Sequence, residues 1–121
     1  MSCDLLIVDD QAGIRRLLYE VFLEDDLEVD MASSGAEALR KVVSQKPRLI
    51  LLDSNMPEMS GLETAAKIRE LNIDTIIIMV SAFDDTFFTS KAKDLGINYY
   101  LNKPFDIVSL RSMVRDILKT V

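Results

Sequence analysis

Short aliphatic runs alternate along this chain with stretches of helical period, and that alternation restricts the fold more than any other feature. Leu5–Val8 is followed by Ile14, Leu17, Leu18, Val21 and Phe22, spaced to share one helix face, and Glu28–Ala32 then reads as a short strand. Ser34-Gly-Ala-Glu37 has capping-box spacing and opens a helix carrying Leu39, Val42 and Val43, which must end before Pro47. Leu49–Leu52 is the third strand. Ser60-Gly-Leu-Glu63 repeats the capping pattern ahead of Leu62, Ala65, Ala66 and Ile68, and the β-branched run Thr75–Val80 is the fourth strand. A fourth helix is expected from about Asp85 to Leu95, with Gly96 as its C-terminal cap. Ile97–Leu101 is the fifth strand, and Asp106 caps a last helix with an apolar stripe of Leu110, Met113, Val114, Ile117 and Leu118.

Five strands apolar on both faces and separated by helices imply a parallel sheet covered on both sides, a doubly wound five-stranded α/β domain. The 121 residues, 49% of them hydrophobic, fit one such domain over 1–121 and leave no room for a second. No linker, repeat or low-complexity segment interrupts it. A net charge of -6 disfavours direct binding to nucleic acid. No apolar stretch reaches the length of a membrane span or signal peptide, so a cytoplasmic location is expected. With one cysteine and no histidine, an internal disulfide, a Cys/His zinc site and a histidine base are excluded.

In an open parallel sheet, ligands bind beyond the carboxyl ends of the strands, where the strand order reverses. Asp9 and Asp10 follow the first strand, Asp53 the third, Ser81 the fourth, and Lys103 with Pro104 the fifth. Ser33 and Ser34, after the second, read as a helix cap only. Converging carboxylates, a hydroxyl and an ammonium make a hard-oxygen metal site with a lysine able to neutralise a bound anion. A divalent cation, Mg²⁺ foremost, would relieve the repulsion among Asp9, Asp10 and Asp53, at least one of which should otherwise have a raised pKa. The chemistry suggested is attack by a carboxylate oxygen on phosphorus, giving an aspartyl phosphate.

Taken singly, each residue has a plainer reading. Asp9-Asp10 alone is a solvated turn and helix cap, Asp53 alone caps the turn before Met56-Pro57, and Lys103 alone is a surface charge. Tyr100 alone is an ordinary half-buried strand aromatic. Phe87 and Phe88 read as packing residues, although adjacent aromatics on a helix cannot both point inward, so one is a candidate partner contact. Agreement among four strand ends is what favours the site.

The combination of Asp9-Asp10, Asp53 followed by MPEMSG (Met56 to Gly61), Ser81-Ala82 and Lys103-Pro104-Phe105 resembles the receiver domain of two-component response regulators, over the whole chain. LLIVDDQAGIRRLLYEVF and KPFDI look most like single-domain regulators of the sporulation phosphorelay type. The resemblance implies the (βα)5 flavodoxin-like receiver fold, with Asp53 as phosphoacceptor and Asp9, Asp10, Asp53 and the Asn55 backbone carbonyl as ligands to Mg²⁺ or Mn²⁺. It further implies that Lys103, through a cis bond to Pro104, contacts the phosphoryl group, that Ser81 moves to hydrogen-bond it, and that Tyr100 is the aromatic switch. The implied partners are a sensor histidine kinase or histidine phosphotransfer protein, docking on the first helix, and a downstream protein target. That target would meet the fourth helix, fifth strand and last helix of a monomer. Ser81 stands where threonine is commoner, and Asn55 and Phe83 stand where the family tunes dephosphorylation.

Three other readings compete. A turnover phosphatase of the haloacid dehalogenase type places its nucleophile after the first strand as DxDx(T/V), which Asp9-Asp10-Gln11 does not match. A flavodoxin-like FMN binder needs a Ser/Thr/Gly-rich first turn, which DDQAGI lacks. A receiver acting purely as a binding module, without phosphorylation, would not need the intact constellation. The sequence stops directly after its last helix, so output is expected to run through a partner.

Overall fold

The computed structural model describes residues 3–81 and 94–120. In chain order the elements are β1 (Leu5–Val8), α1 (Ala12–Leu23), β2 (Val29–Ala32), α2 (Gly35–Gln45), β3 (Leu49–Asp53), α3 (Gly61–Glu70), β4 (Ile76–Ser81), β5 (Tyr99–Asn102) and α4 (Ile107–Thr120). The five strands form one parallel sheet in the order β2-β1-β3-β4-β5. The helix expected over 85–95 falls largely on 82–93, outside the described residues, as do Phe83, Phe87 and Phe88.

Strand pleating sorts the apolar residues into two cores. Leu5, Ile7, Leu49, Leu51, Ile78 and Val80 pack with Leu18 and Phe22 of α1 and with Leu110, Val114, Ile117 and Leu118 of α4. The intervening Leu6, Val8, Ile50, Leu52, Ile77 and Met79 pack with Ala38 and Val42 of α2 and Ala65 and Ile68 of α3. The central strands are therefore buried on both faces, as their unbroken aliphatic sequences require. The edges depart from that expectation: β2 is half-buried along most of its length, and Tyr99 of β5 is 41% exposed. An edge strand has a neighbour on one side only, so its side chains are covered less. Among the described residues no helix is long and apolar enough to cross a membrane.

Local chemistry sets the helix ends. Ser60 and Glu63 form the complete capping box, with Glu63 N–H donating to Ser60 Oγ at 3.2 Å and Ser60 N–H to Glu63 Oε1 at 3.3 Å. At α2 the box is shifted: Glu37 N–H donates to Ser34 Oγ, but the Glu37 carboxylate takes the N–H and hydroxyl of Ser33. Ser33 offers two donors where a box offers one. Lys46 closes α2 in the left-handed region (φ 47°), because Pro47 disfavours a helical residue before it. Asp106 caps α4 by accepting from Val108 N–H at 3.1 Å and the Ser109 hydroxyl at 3.2 Å.

The carbonyls of Glu28, just before β2, and of Ala32 at its end turn toward β1, where they accept from Leu5 and Asp9 N–H. Alternation then turns the peptide groups of Met31 outward. Both are satisfied by side chains: Asp30 Oδ1 accepts from Met31 N–H at 2.7 Å, and Lys41 Nζ donates to the Met31 carbonyl. Burial alone would raise the Asp30 carboxyl, but bonds from Gln45, Met31 N–H and Lys41 outweigh it and hold the pKa low.

Cys3 is buried against the sheet, its Sγ 3.3 Å from the Leu5 carbonyl, and burial foremost pushes its thiol up to about 11 from 9.0. A folded-state pKa above the unfolded one favours folding below the unfolded value and loses that contribution as pH rises. The urea midpoint of the native chain should therefore fall between pH 9 and 11 by more than that of Cys3→Ala. Equal pH slopes for the two chains would contradict it. At pH 8 the native thiol should also resist a thiol reagent that labels the unfolded chain at once.

Candidate functional site

The strand order reverses between β1 and β3, since the chain leaves β1 for β2 on one side and continues through β3, β4 and β5 on the other. Asp9 follows β1, and Asp53 is the last residue of β3. Register places them side by side, with Val8 opposite Leu52. Ser81, the last residue of β4, lies opposite Asn102, so Lys103 follows directly beyond it. Asp53 and Ser81 thus sit one residue further inside their strands than the sequence pattern predicts. Both are backbone-paired, which fixes their side chains more firmly than loop positions would.

Asp9, Asp10 and Asp53 each bring a carboxylate oxygen to within 4.8 Å of the others. Asp9 and Asp53 are buried and Asp10 is exposed. Lys103 Nζ donates to Asp53 Oδ1 at 3.2 Å, and Asn55 N–H approaches the same oxygen at 3.3 Å. Asp9 Oδ1 accepts from Gln11 N–H at 2.9 Å. Lys103 N–H donates to the Ser81 carbonyl, drawing the tips of β4 and β5 together, and the Lys103-Pro104 peptide is cis.

Burial, and then the Asp53 carboxylate nearby, raises the Asp9 carboxyl above its ordinary range against the pull of Gln11 N–H. Asp9 therefore favours folding in acid and ceases to as pH rises through the carboxylate range. A divalent cation would offset that cost. Three hard carboxylate oxygens around one opening, one of them exposed for ligand exchange, fit Mg²⁺ or Mn²⁺ in chemistry and spacing.

The loop after β3 holds this arrangement. Ser54 N–H donates to the Val80 carbonyl and Gly61 N–H to the Ser54 carbonyl, folding residues 54–61 back over the strand end. A Cβ on Gly61 would lie 2.7 Å from Ser54 Cα and closer still to the Asp53 carbonyl oxygen. Only glycine lets α3 start so near the acidic site. Glu58 (φ 68°) centres a three-residue turn closed by Met59 N–H to the Pro57 carbonyl at 2.7 Å, a strained conformation for a residue with a side chain. The motif Met56 to Gly61 was legible in sequence as a unit; the steric role of its last residue was not.

Tyr100 is half-buried on β5 and packs on the core shared with α2 and α3. Ser81 is buried at the site. Asn55 is exposed and adjoins Asp53 through its backbone.

A family model for the response regulator receiver domain matches residues 5–115. The chain belongs to the response regulator receiver family. The receiver is 36% identical over 118 residues to sporulation initiation phosphotransferase F of Bacillus subtilis, covering 98% of this chain and 95% of that protein. It is 34% identical to the alkaline phosphatase synthesis transcriptional regulatory protein PhoP of the same organism, over 98% of this chain and half of that longer protein. Among solved structures, the receiver superimposes on the chemotaxis protein CheY4 of Vibrio cholerae with a TM-score of 0.89 at 28% identity, covering 97% and 99% of the two chains. A CheY-like receiver domain protein of Methanospirillum hungatei matches with a TM-score of 0.91 at 25% identity, covering 99% and 96%.

Proposed function

We propose that this receiver is a phosphorylation-dependent switch in a two-component system or phosphorelay, accepting a phosphoryl group on Asp53 from a phosphohistidine partner. The observation that carries the reading is the Lys103 ammonium 3.2 Å from the buried Asp53 carboxylate, with Asp9 and Asp10 beside it at the sheet's switch point. An Asp53 oxygen attacks phosphorus as the phosphorus–nitrogen bond breaks, and the imidazole nitrogen keeps the electron pair. Lys103 neutralises charge on the transferred oxygens, where positioning and electrostatics supply most of the rate. Asp9, Asp10, Asp53 and the Asn55 carbonyl would hold Mg²⁺ or Mn²⁺, which when bound supplies further charge neutralisation for the phosphoryl oxygens.

An apolar groove beside Lys103, lined by Ile14, Leu17, Leu18, Pro104, Phe105 and Ile107, supports docking of the donor on α1 next to the acceptor. Sensor histidine kinases and histidine phosphotransfer proteins are the partner classes that fit. After transfer, the added charge draws in Lys103 and the Ser81 hydroxyl, and Tyr100 follows as the switch. The altered surface is read by a downstream protein target. The protein works in the cytoplasm as a monomer and does not bind nucleic acid itself.

Intact-mass spectrometry after incubation with acetyl phosphate tests this reading, with and without Mg²⁺. Wild type should gain one base-labile phosphoryl group only with Mg²⁺, and Asp53→Asn should gain none. A wild type that gains nothing would replace this reading with a phosphorylation-independent binding module.

A further inference from the structure

Asp9 is tethered at more points than its carboxylate alone requires. Its N–H donates to the Ala32 carbonyl at 3.2 Å and its Oδ1 accepts from Gln11 N–H at 2.9 Å. Its carbonyl oxygen accepts a third bond, from Arg15 Nη1 at 2.8 Å. That carbonyl belongs to the peptide group joining Asp9 to Asp10, whose plane relates the directions of the two side chains. Arg15 is itself fixed, because its N–H makes the 3.0 Å helical bond to the Gln11 carbonyl in the first turn of α1. Asp9, Gln11 and Arg15 therefore close a ring of three hydrogen bonds around the turn that carries both acids. A side chain in the first helical turn leans back toward the N-terminus, so Arg15 reaches this carbonyl without leaving its helix.

Arg15 is half-buried, and the ring leaves the Asp9-Asp10 peptide little freedom to rotate. Without it, the exposed Asp10 would depend on a turn held from one side. Gln11, the residue before the helix, offers no side-chain cap to stiffen that turn. We infer that Arg15 is a positioning residue for the divalent cation: by holding the Asp9-Asp10 peptide it aims the two carboxylates at one point and raises metal affinity, although it is itself a cation. The inference rests on the metal site of the proposed function. It assigns affinity to a residue that touches neither the metal nor the phosphoryl group.

Two effects oppose each other, and their signs differ. If the Arg15 charge dominated, its removal would tighten binding of a divalent cation. If positioning dominates, removal weakens binding by roughly tenfold, the scale seen when a group that orients a ligand is deleted.

Titration calorimetry with MgCl₂ and MnCl₂ on the full chain decides between them, for wild type, Arg15→Met and Arg15→Lys. Arg15→Met should bind roughly tenfold more weakly, and its urea midpoint in EDTA should stay near wild type, which separates positioning from general stability. Arg15→Lys keeps a donor and should recover most of the loss. If wild type binds no metal, the site reading falls and this inference with it. If wild type binds and Arg15→Met binds as well or better, only the positioning role is overturned. A lysine variant as weak as the methionine one also overturns it.

Discussion

Gly61→Ala should lower stability by about 3 kcal/mol, at the upper end of the cost of overpacking, and displace Asp53. The added methyl meets Ser54 Cα at 2.7 Å and the Asp53 carbonyl, both backbone atoms that cannot rotate away. Alanine's better helix propensity returns at most about 1 kcal/mol, so the steric cost wins. The midpoint of thermal unfolding should fall by on the order of 10 °C, and phosphoryl uptake from acetyl phosphate should fall with it. Gly13→Ala is the internal control. Nothing lies within 4 Å of a Cβ there, and it occupies a helical position in α1. That variant should therefore be stabilised by up to about 1 kcal/mol. Thermal melts of the two side by side decide it: equal shifts would mean that the loop after β3 can relax away from α3.

Lys103→Ala should separate chemistry from signalling. The ammonium is the only cation bonded to the Asp53 carboxylate among the described residues, and its removal leaves the acidic cluster uncompensated. Phosphoryl uptake should persist but slow by about 100-fold, the effect of deleting one preorganised group that stabilises developing charge. In wild type, the amide resonances around Ser81 and Tyr100 should move together on phosphorylation, because Lys103 N–H already ties its loop to the Ser81 carbonyl. In the variant they should stay near their resting positions even when mass spectrometry shows the phosphoryl group in place. Full movement in the phosphorylated variant would mean that Ser81 alone carries the signal. No movement in phosphorylated wild type would remove the premise of a switch.

Much of this was legible in residue order. The runs Leu5–Val8 and Leu49–Leu52 could only be strands buried on both faces, and the two Ser-x-x-Glu patterns located two helix starts. Strand ends carrying Asp9, Asp53 and Lys103 implied a shared pocket once the sheet was taken as parallel. The expected conflict among the acids appears at Asp9, where burial contributes more than the neighbouring charge. Other features depend on three-dimensional proximity that periodicity does not encode. Arg15 reads as one of two adjacent arginines on a polar helix face, and only the path of the turn shows which of them reaches Asp9. The weaker cover of β5 follows from its place at the sheet edge, a property of strand order rather than of YYLN itself. At α2 the helix cap takes a variant form because Ser33 presents its N–H and hydroxyl together to the Glu37 carboxylate, in place of the expected Ser34 N–H.

The side chains that close over Met31 also bear on how the molecule behaves in a crowded cell. A receiver whose interior strands include IIIMVS carries a segment well suited to stacking with copies of itself once any strand is left open to recruitment. With its N–H and carbonyl already engaged by Asp30 and Lys41, the Met31 peptide offers an approaching chain no bonds to copy. Recruitment at that position would first require the Asp30 and Lys41 charges to be pulled apart and dehydrated.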